Sequence, residues 1–276
     1  MGRAGDSCAD RGRCGCLPRR ILCAAFTTLS PLTQLLGYLL LVVAGLARAD
    51  GGCDMKSAES IWQNTHRRLQ AQFGATVPAP RIILYPDTRD LPDGNDLAIF
   101  GYYEREGRVL HVACRNGDEY WLDVALRHEA SHHYLSQAFG PLPTWLNEGI
   151  SLYMEVADEG ERKVAGHVNK QRLKEFIQML KWGKTPALMR LLTRDPDSYN
   201  ASQYYAAYWA LVYALMHHPD DRIQQQRRQL LQELLTDSHH EPAALRQHLI
   251  DGLLRENASL ADWELLWRRQ IWDLRQ

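Results

Sequence analysis

The chain has 276 residues, 45% of them hydrophobic and 24% charged, and a formal net charge of −1, which places it among globular proteins able to bury a core. Residues 1–49 carry six Arg against Asp6 and Asp10, so the remainder holds 26 basic and 31 acidic residues, interleaved rather than clustered. That leaves no basic stripe for a phosphate backbone and excludes nucleic acid as the main partner.

From Ile21 to Ala47 there is no charged residue, and the strongest apolar run, Leu35 to Leu46, follows an Arg-bearing segment and ends in Ala47-Arg48-Ala49. This pattern predicts a secretory signal cleaved after Ala49, with Arg19-Arg20 as an ordinary basic flank. The 27 uncharged residues are also long enough to span a bilayer, so an uncleaved signal anchor is the competing reading. Either way the chain is expected to be exported, periplasmic or secreted, with no other membrane segment.

Four of six cysteines, Cys8, Cys14, Cys16 and Cys23, fall in the segment to be removed. Cys53 and Cys114 remain, and in an oxidising compartment they are expected to pair as a disulfide. A lipid-anchored Cys53 and two free thiols are the alternatives.

Residues 50–276 show neither an internal repeat nor a linker and read as one domain. A helix is predicted over 57–73, then short β-rich segments at 81–85, 97–103 and 108–114, separated by Pro, Asp and Gly. They suggest a small, mainly antiparallel sheet with 108–114 at an edge, either open to strand addition by an extended peptide or an ordinary covered edge. Helical spacing follows over 118–138, 144–156, 164–182, 201–217, 222–235, 242–255 and 259–274. The fold class is thus α+β, a sheet leading into a helical lobe. In the last helix Trp263, Trp267, Ile271 and Leu274 recur at helical spacing and are expected to dock on the core.

The segment that carries chemistry is Arg127-His128-Glu129-Ala130-Ser131-His132. Inside a helix, residues four apart share a face one turn apart, so His128 and His132 offer two imidazoles to one metal ion, and Glu129 sits beside it as a base toward water. A hydrolytic zinc site needs a third protein ligand and an open position. Gly140-Pro141 should end this helix and Pro143 open the next, making a hairpin. At 1.5 Å per residue the chain climbs roughly 12 Å from His132 to Gly140 and returns roughly 7.5 Å to Glu148, within a carboxylate's reach of the histidines. His133 points about 100° away and is expected beside the site or on the surface rather than among the ligands; His217-His218 and His239-His240 read as solvated.

The run Thr144-Trp145-Leu146-Asn147-Glu148-Gly149-Ile150-Ser151, following the His-Glu-x-x-His motif, resembles the gluzincin metallopeptidases, and most nearly bacterial peptidase MA-like domains. The likeness extends through Leu152-Tyr153-Met154-Glu155 and to Tyr205–Val212, about residues 118–217. It implies a zincin-like fold and a peptidase, of endopeptidase type, acting on a peptide or protein substrate. One Zn2+ would be held by His128, His132 and Glu148, with Glu129 as general base and Tyr205 as donor to the oxyanion, Tyr208 being the alternative. Fifteen residues separate His132 from Glu148, fewer than in the thermolysin-like and aminopeptidase N-like branches, and no Gly-x-Met-Glu-Asn motif precedes the helix, so aminopeptidase activity has no support. A non-catalytic zinc scaffold of the cell envelope and a zinc hydrolase of a non-peptide amide or ester are the competing functions.

Overall fold

The computed structural model describes residues 53–92, 100–114, 119–156, 168–193, 201–236, 241–255 and 257–275. The expected signal or anchor segment lies outside them. Residues Ala49–Gln276 cluster as one compact unit, and among the described residues no helix is long and apolar enough to cross a membrane.

Helix α1 (Met55–Phe73) starts where Asp54 accepts a hydrogen bond from the Ser57 N–H at 2.8 Å and stops at Gly74, whose φ of 83° is left-handed. Its inner stripe, Ala58, Trp62, Thr65, Leu69 and Phe73, keeps helical spacing and joins the core that also takes residues of α2 (Glu119–Phe139). Polar ties lock the pair. Arg127 reaches from α2 to Asn64 Oδ1 at 2.8 Å, and the Tyr134 hydroxyl donates to Ala75 O while accepting from its N–H.

The sheet holds β1 (Arg81–Tyr85), β2 (Gly101–Glu104) and β3 (Val109–Ala113) in the order β1-β3-β2. Here the expectation of a mainly antiparallel sheet is corrected. β2 pairs antiparallel to β3, but β1 pairs parallel to it, so the sheet is mixed. The chain between β1 and β3, which includes β2, is long enough for the connection that parallel pairing requires. β3 is also central rather than an edge. All five of its residues are buried, and a strand buried on both faces belongs in the middle. Leu110 and Val112 join the core beside Leu122, Leu126 and Ala130 of α2.

Helices α3 (Thr144–Met154), α4 (Lys170–Lys181), α5 (Leu188–Thr193), α6 (Ala201–Met216), α7 (Asp221–Thr236), α8 (Pro242–Leu254) and α9 (Leu260–Asp273) follow. α6 is buried all round from Ala206 to Met216 and forms the axis of the helical part. α5 is an element that periodicity missed, because its six residues make under two turns, although Leu188, Leu191 and Leu192 are buried. In α9, Trp263, Trp267 and Ile271 are buried as expected. The architecture is α+β, mostly helical, with a small three-stranded sheet.

Cys53 and Cys114 are bonded, with Cα atoms 5.8 Å apart and 61 positions between them in sequence. The bond ties the start of α1 to the end of β3, and in the chain-entropy model it contributes about 4 kcal/mol.

Candidate metal centre

The centre is built by α2, α3 and α6. α2 ends at Phe139 with Gly140 at φ 81°, and α3 begins after Pro143, whose carbonyl accepts from the N–H groups of Leu146 and Asn147. The hairpin read from Gly140, Pro141 and Pro143 therefore forms, and it brings Glu148 level with the histidines.

His128 Nε2 and His132 Nε2 face each other at 3.0 Å, and the Glu148 carboxylate lies 3.4 Å from the first and 3.6 Å from the second. Bonds of about 2.0–2.1 Å at tetrahedral angles would separate the donor atoms of a zinc site by about 3.3–3.4 Å. The observed spacings bracket that value. The outer nitrogens support the same orientation: His128 Nδ1 is 3.1 Å from Glu155 Oε1, and His132 Nδ1 is 3.1 Å from Ser151 Oγ. A carboxylate only accepts, so His128 carries a proton on Nδ1, and Nε2 is the inward nitrogen whose lone pair a metal would take once any proton shared with Glu148 has left. Two inward nitrogens and a carboxylate, with Glu148 Oε2 buried and lacking a hydrogen-bond partner, make a pocket that a cation would satisfy. The three residues could hold a metal ion.

The electrostatics follow from this crowding. Burial penalises a charged His128, but the neighbouring carboxylates of Glu148 and Glu155 outweigh it and hold its pKa well above the ordinary value, so without a metal the ring shares its inner proton with Glu148. Burial likewise opposes ionisation of Glu148, yet His132 and His128 more than offset it and bring that carboxyl down to about 2. Glu129 moves the other way, because burial raises its pKa more than the two histidines lower it. A buried carboxyl with a raised pKa in a cleft is suited to taking up and returning a proton.

The three ligand candidates and Glu129 open onto a cleft of about 360 Å³, whose walls include Gly101, Tyr103, Leu142, Asn147 and Tyr205. Tyr205 thus shares the cleft with Glu129, and burial followed by the charges of Glu148 and Glu129 pushes its hydroxyl up to about 12, so that it stays protonated. Tyr208, the alternative, is fully buried in the core and does not line the cleft. The register is set at Gly149. A Cβ there would lie 2.6 Å from Val212 Cγ2 and 2.9 Å from Tyr208 O, so α3 and α6 touch backbone to side chain beside Glu148.

Sequence reasoning missed Glu155. It accepts from Asn169 Nδ2 at 2.7 Å and from an Arg172 NH group at 3.4 Å while facing His128. The signal was present: Glu148, Ser151 and Glu155 recur at three and seven residues, one face of a helix, and all three meet the histidine pair. His133 is outside the ligand set, as expected, with Nε2 donating to Pro78 O at 2.8 Å. His217 is not solvated as expected; its Nε2 lies 2.8 Å from the Tyr153 hydroxyl and its ring against Tyr213. His239 and His240 lie outside the described residues.

No curated protein matches the chain, and no solved structure does. Residues 124–243, which include His128, Glu129, His132, Glu148, Glu155 and Tyr205, match the family described as Protein of unknown function (DUF1570).

Proposed function

We propose that the chain is an exported zinc metallopeptidase of gluzincin type, with a zincin-like fold, that hydrolyses peptide bonds. The observation that carries this reading is the convergence of His128 Nε2, His132 Nε2 and the Glu148 carboxylate, within 4.8 Å of one another, on a cleft that also holds Glu129 and Tyr205. A purely structural metal site has no use for an open cleft or for a base beside it.

His128, His132 and Glu148 would hold the metal, and Glu155 and Ser151 fix the two imidazoles so that their Nε2 atoms stay inward. Zinc, when bound, supplies a Lewis acid that polarises a carbonyl and acidifies water. Glu129 takes the proton of the attacking water on its carboxylate and returns it to the leaving amine. The Tyr205 hydroxyl, kept protonated by its raised pKa, donates to the oxygen on which negative charge develops. An extended substrate has an edge to follow: β2 is an outer strand whose Gly101, Tyr102 and Tyr103 line the cleft. The disulfide is compatible with the exported location.

Metal analysis of the purified chain, with a peptide-library digest in the presence and absence of chelator, tests the reading. About one zinc per chain and chelator-sensitive cleavage are expected, and Glu129→Gln should keep the zinc while losing roughly 10²–10⁴ in turnover. Zinc-loaded protein that cuts no peptide, or cleavage that survives both chelator and Glu129→Gln, overturns it.

A further inference from the structure

With His128 and His132 neutral as metal ligands, Arg105 is the one cationic side chain among the described residues that line the cleft. It follows directly on β2, is exposed, and has neither an ion pair nor a side-chain hydrogen bond among the described residues. Its acidic neighbours do not neutralise it there. The Glu104 carboxylate is drawn to His111 Nε2 at 3.2 Å, and Glu106 is not part of the cleft wall. The remaining charges on the wall are Glu129 and Glu148, which a divalent cation would balance, leaving the guanidinium as the uncompensated charge.

We infer that Arg105 selects substrates bearing a carboxylate, which it meets three or four residues from the bond to be cut. The inference rests on the peptidase reading and names the substrate class of that site. The distance comes from the strand. A Cβ on Gly101 would lie 3.2 Å from Glu129 Cγ, so β2 begins beside the base. Four residues of strand then place Arg105 about 13 Å away, and an extended peptide beside β2 has nearly the same rise per residue. A guanidinium matches a carboxylate through two parallel N–H donors, which gives directional preference as well as attraction. The carboxylate could come from an Asp or Glu side chain or from the end of the substrate chain.

The test measures binding and cleavage separately. Zinc-loaded Glu129→Gln protein is titrated with fluorescent peptides carrying Glu or Gln at each position up to five residues on either side of the bond, with free or amidated ends. A preference of about five- to tenfold for the acidic peptide at one such position is expected, modest because the group is exposed. Raising the salt concentration should erode it. Adding Arg105→Ala should abolish the preference and Arg105→Glu should reverse it. A preference that disappears on amidation assigns the carboxylate to the chain end, and one that persists assigns it to a side chain; both support the inference. Equal binding of acidic and neutral peptides, an unchanged ratio in Arg105→Glu, or no binding of any peptide overturns it. Charge-selective binding without cleavage by the wild-type protein would sink the peptidase reading alone, and cleavage without charge preference would sink this inference alone.

Discussion

Two groups of histidines are drawn into this protein in opposite ways. His111, at the centre of the sheet, is stacked between Tyr85 and Tyr102, with Nδ1 2.8 Å from the Tyr85 hydroxyl and Nε2 3.2 Å from Glu104. Each of its nitrogens has a partner of its own. His128 and His132 also have outer partners, Glu155 and Ser151, but among the described residues their inner nitrogens meet only each other and the Glu148 carboxylate. A buried histidine whose two nitrogens are served is finished as a structural group. One whose inner nitrogen faces a second imidazole nitrogen and a carboxylate is placed to ligate a cation.

The largest expected effect breaks the comparison at its root. Zinc at a hundredfold excess over its Kd should stabilise the wild-type chain by about 2.7 kcal/mol through mass action. His128→Ala, His132→Ala and Glu148→Ala should each abolish that shift in Tm and deplete bound metal, whereas His111→Ala should lower Tm and keep the zinc response. Zinc-dependent stabilisation that survives Glu148→Ala, or vanishes in His111→Ala, would show that the distinction between the two groups is misdrawn.

The next effect concerns the two tyrosines one turn apart on α6. Steady-state kinetics of Tyr205→Phe should show kcat lowered by roughly 10²–10³ with little change in KM, because the hydroxyl acts mainly in the transition state. Tyr208→Phe should leave kcat near wild type. The reverse pattern would move the role to the core residue.

Smaller again is the effect of the outer partner. Glu155→Gln keeps the shape but weakens acceptance of the His128 Nδ1 proton, and zinc affinity should fall about 10- to 100-fold in a competitive chelator titration. An unchanged affinity would mean that His128 is oriented by packing alone. Smallest in its effect on chemistry is Gly149→Ala, whose added methyl must displace Val212 Cγ2 or the Tyr208 carbonyl. Overpacking of this kind costs about 1–3 kcal/mol, read as a lower midpoint in urea. A wild-type midpoint would show that α3 and α6 can separate freely.

The sequence by itself determined the parts of this protein that are local. His128, Glu129 and His132 share a face because the α-helix has one period, and the turn to Glu148 is legible because Gly140 adopts a left-handed φ and Pro141 cannot continue a ladder. Most helices were legible for the same reason, their apolar residues recurring at intervals that only one backbone geometry aligns. What the tertiary structure alone decided is non-local. The parallel pairing of β1 with β3, and β2 rather than β3 as the edge along the cleft, depend on which strand has both faces buried, a property of its neighbours and not of its own residues. The choice between Tyr205 and Tyr208 is of the same kind. Both are tyrosines on one apolar helix, and only the close approach of α6 to Gly149 turns the first toward the cleft and the second into the core. Arg105 is a surface arginine in sequence, and it enters the cleft wall because β2 is folded against Glu129.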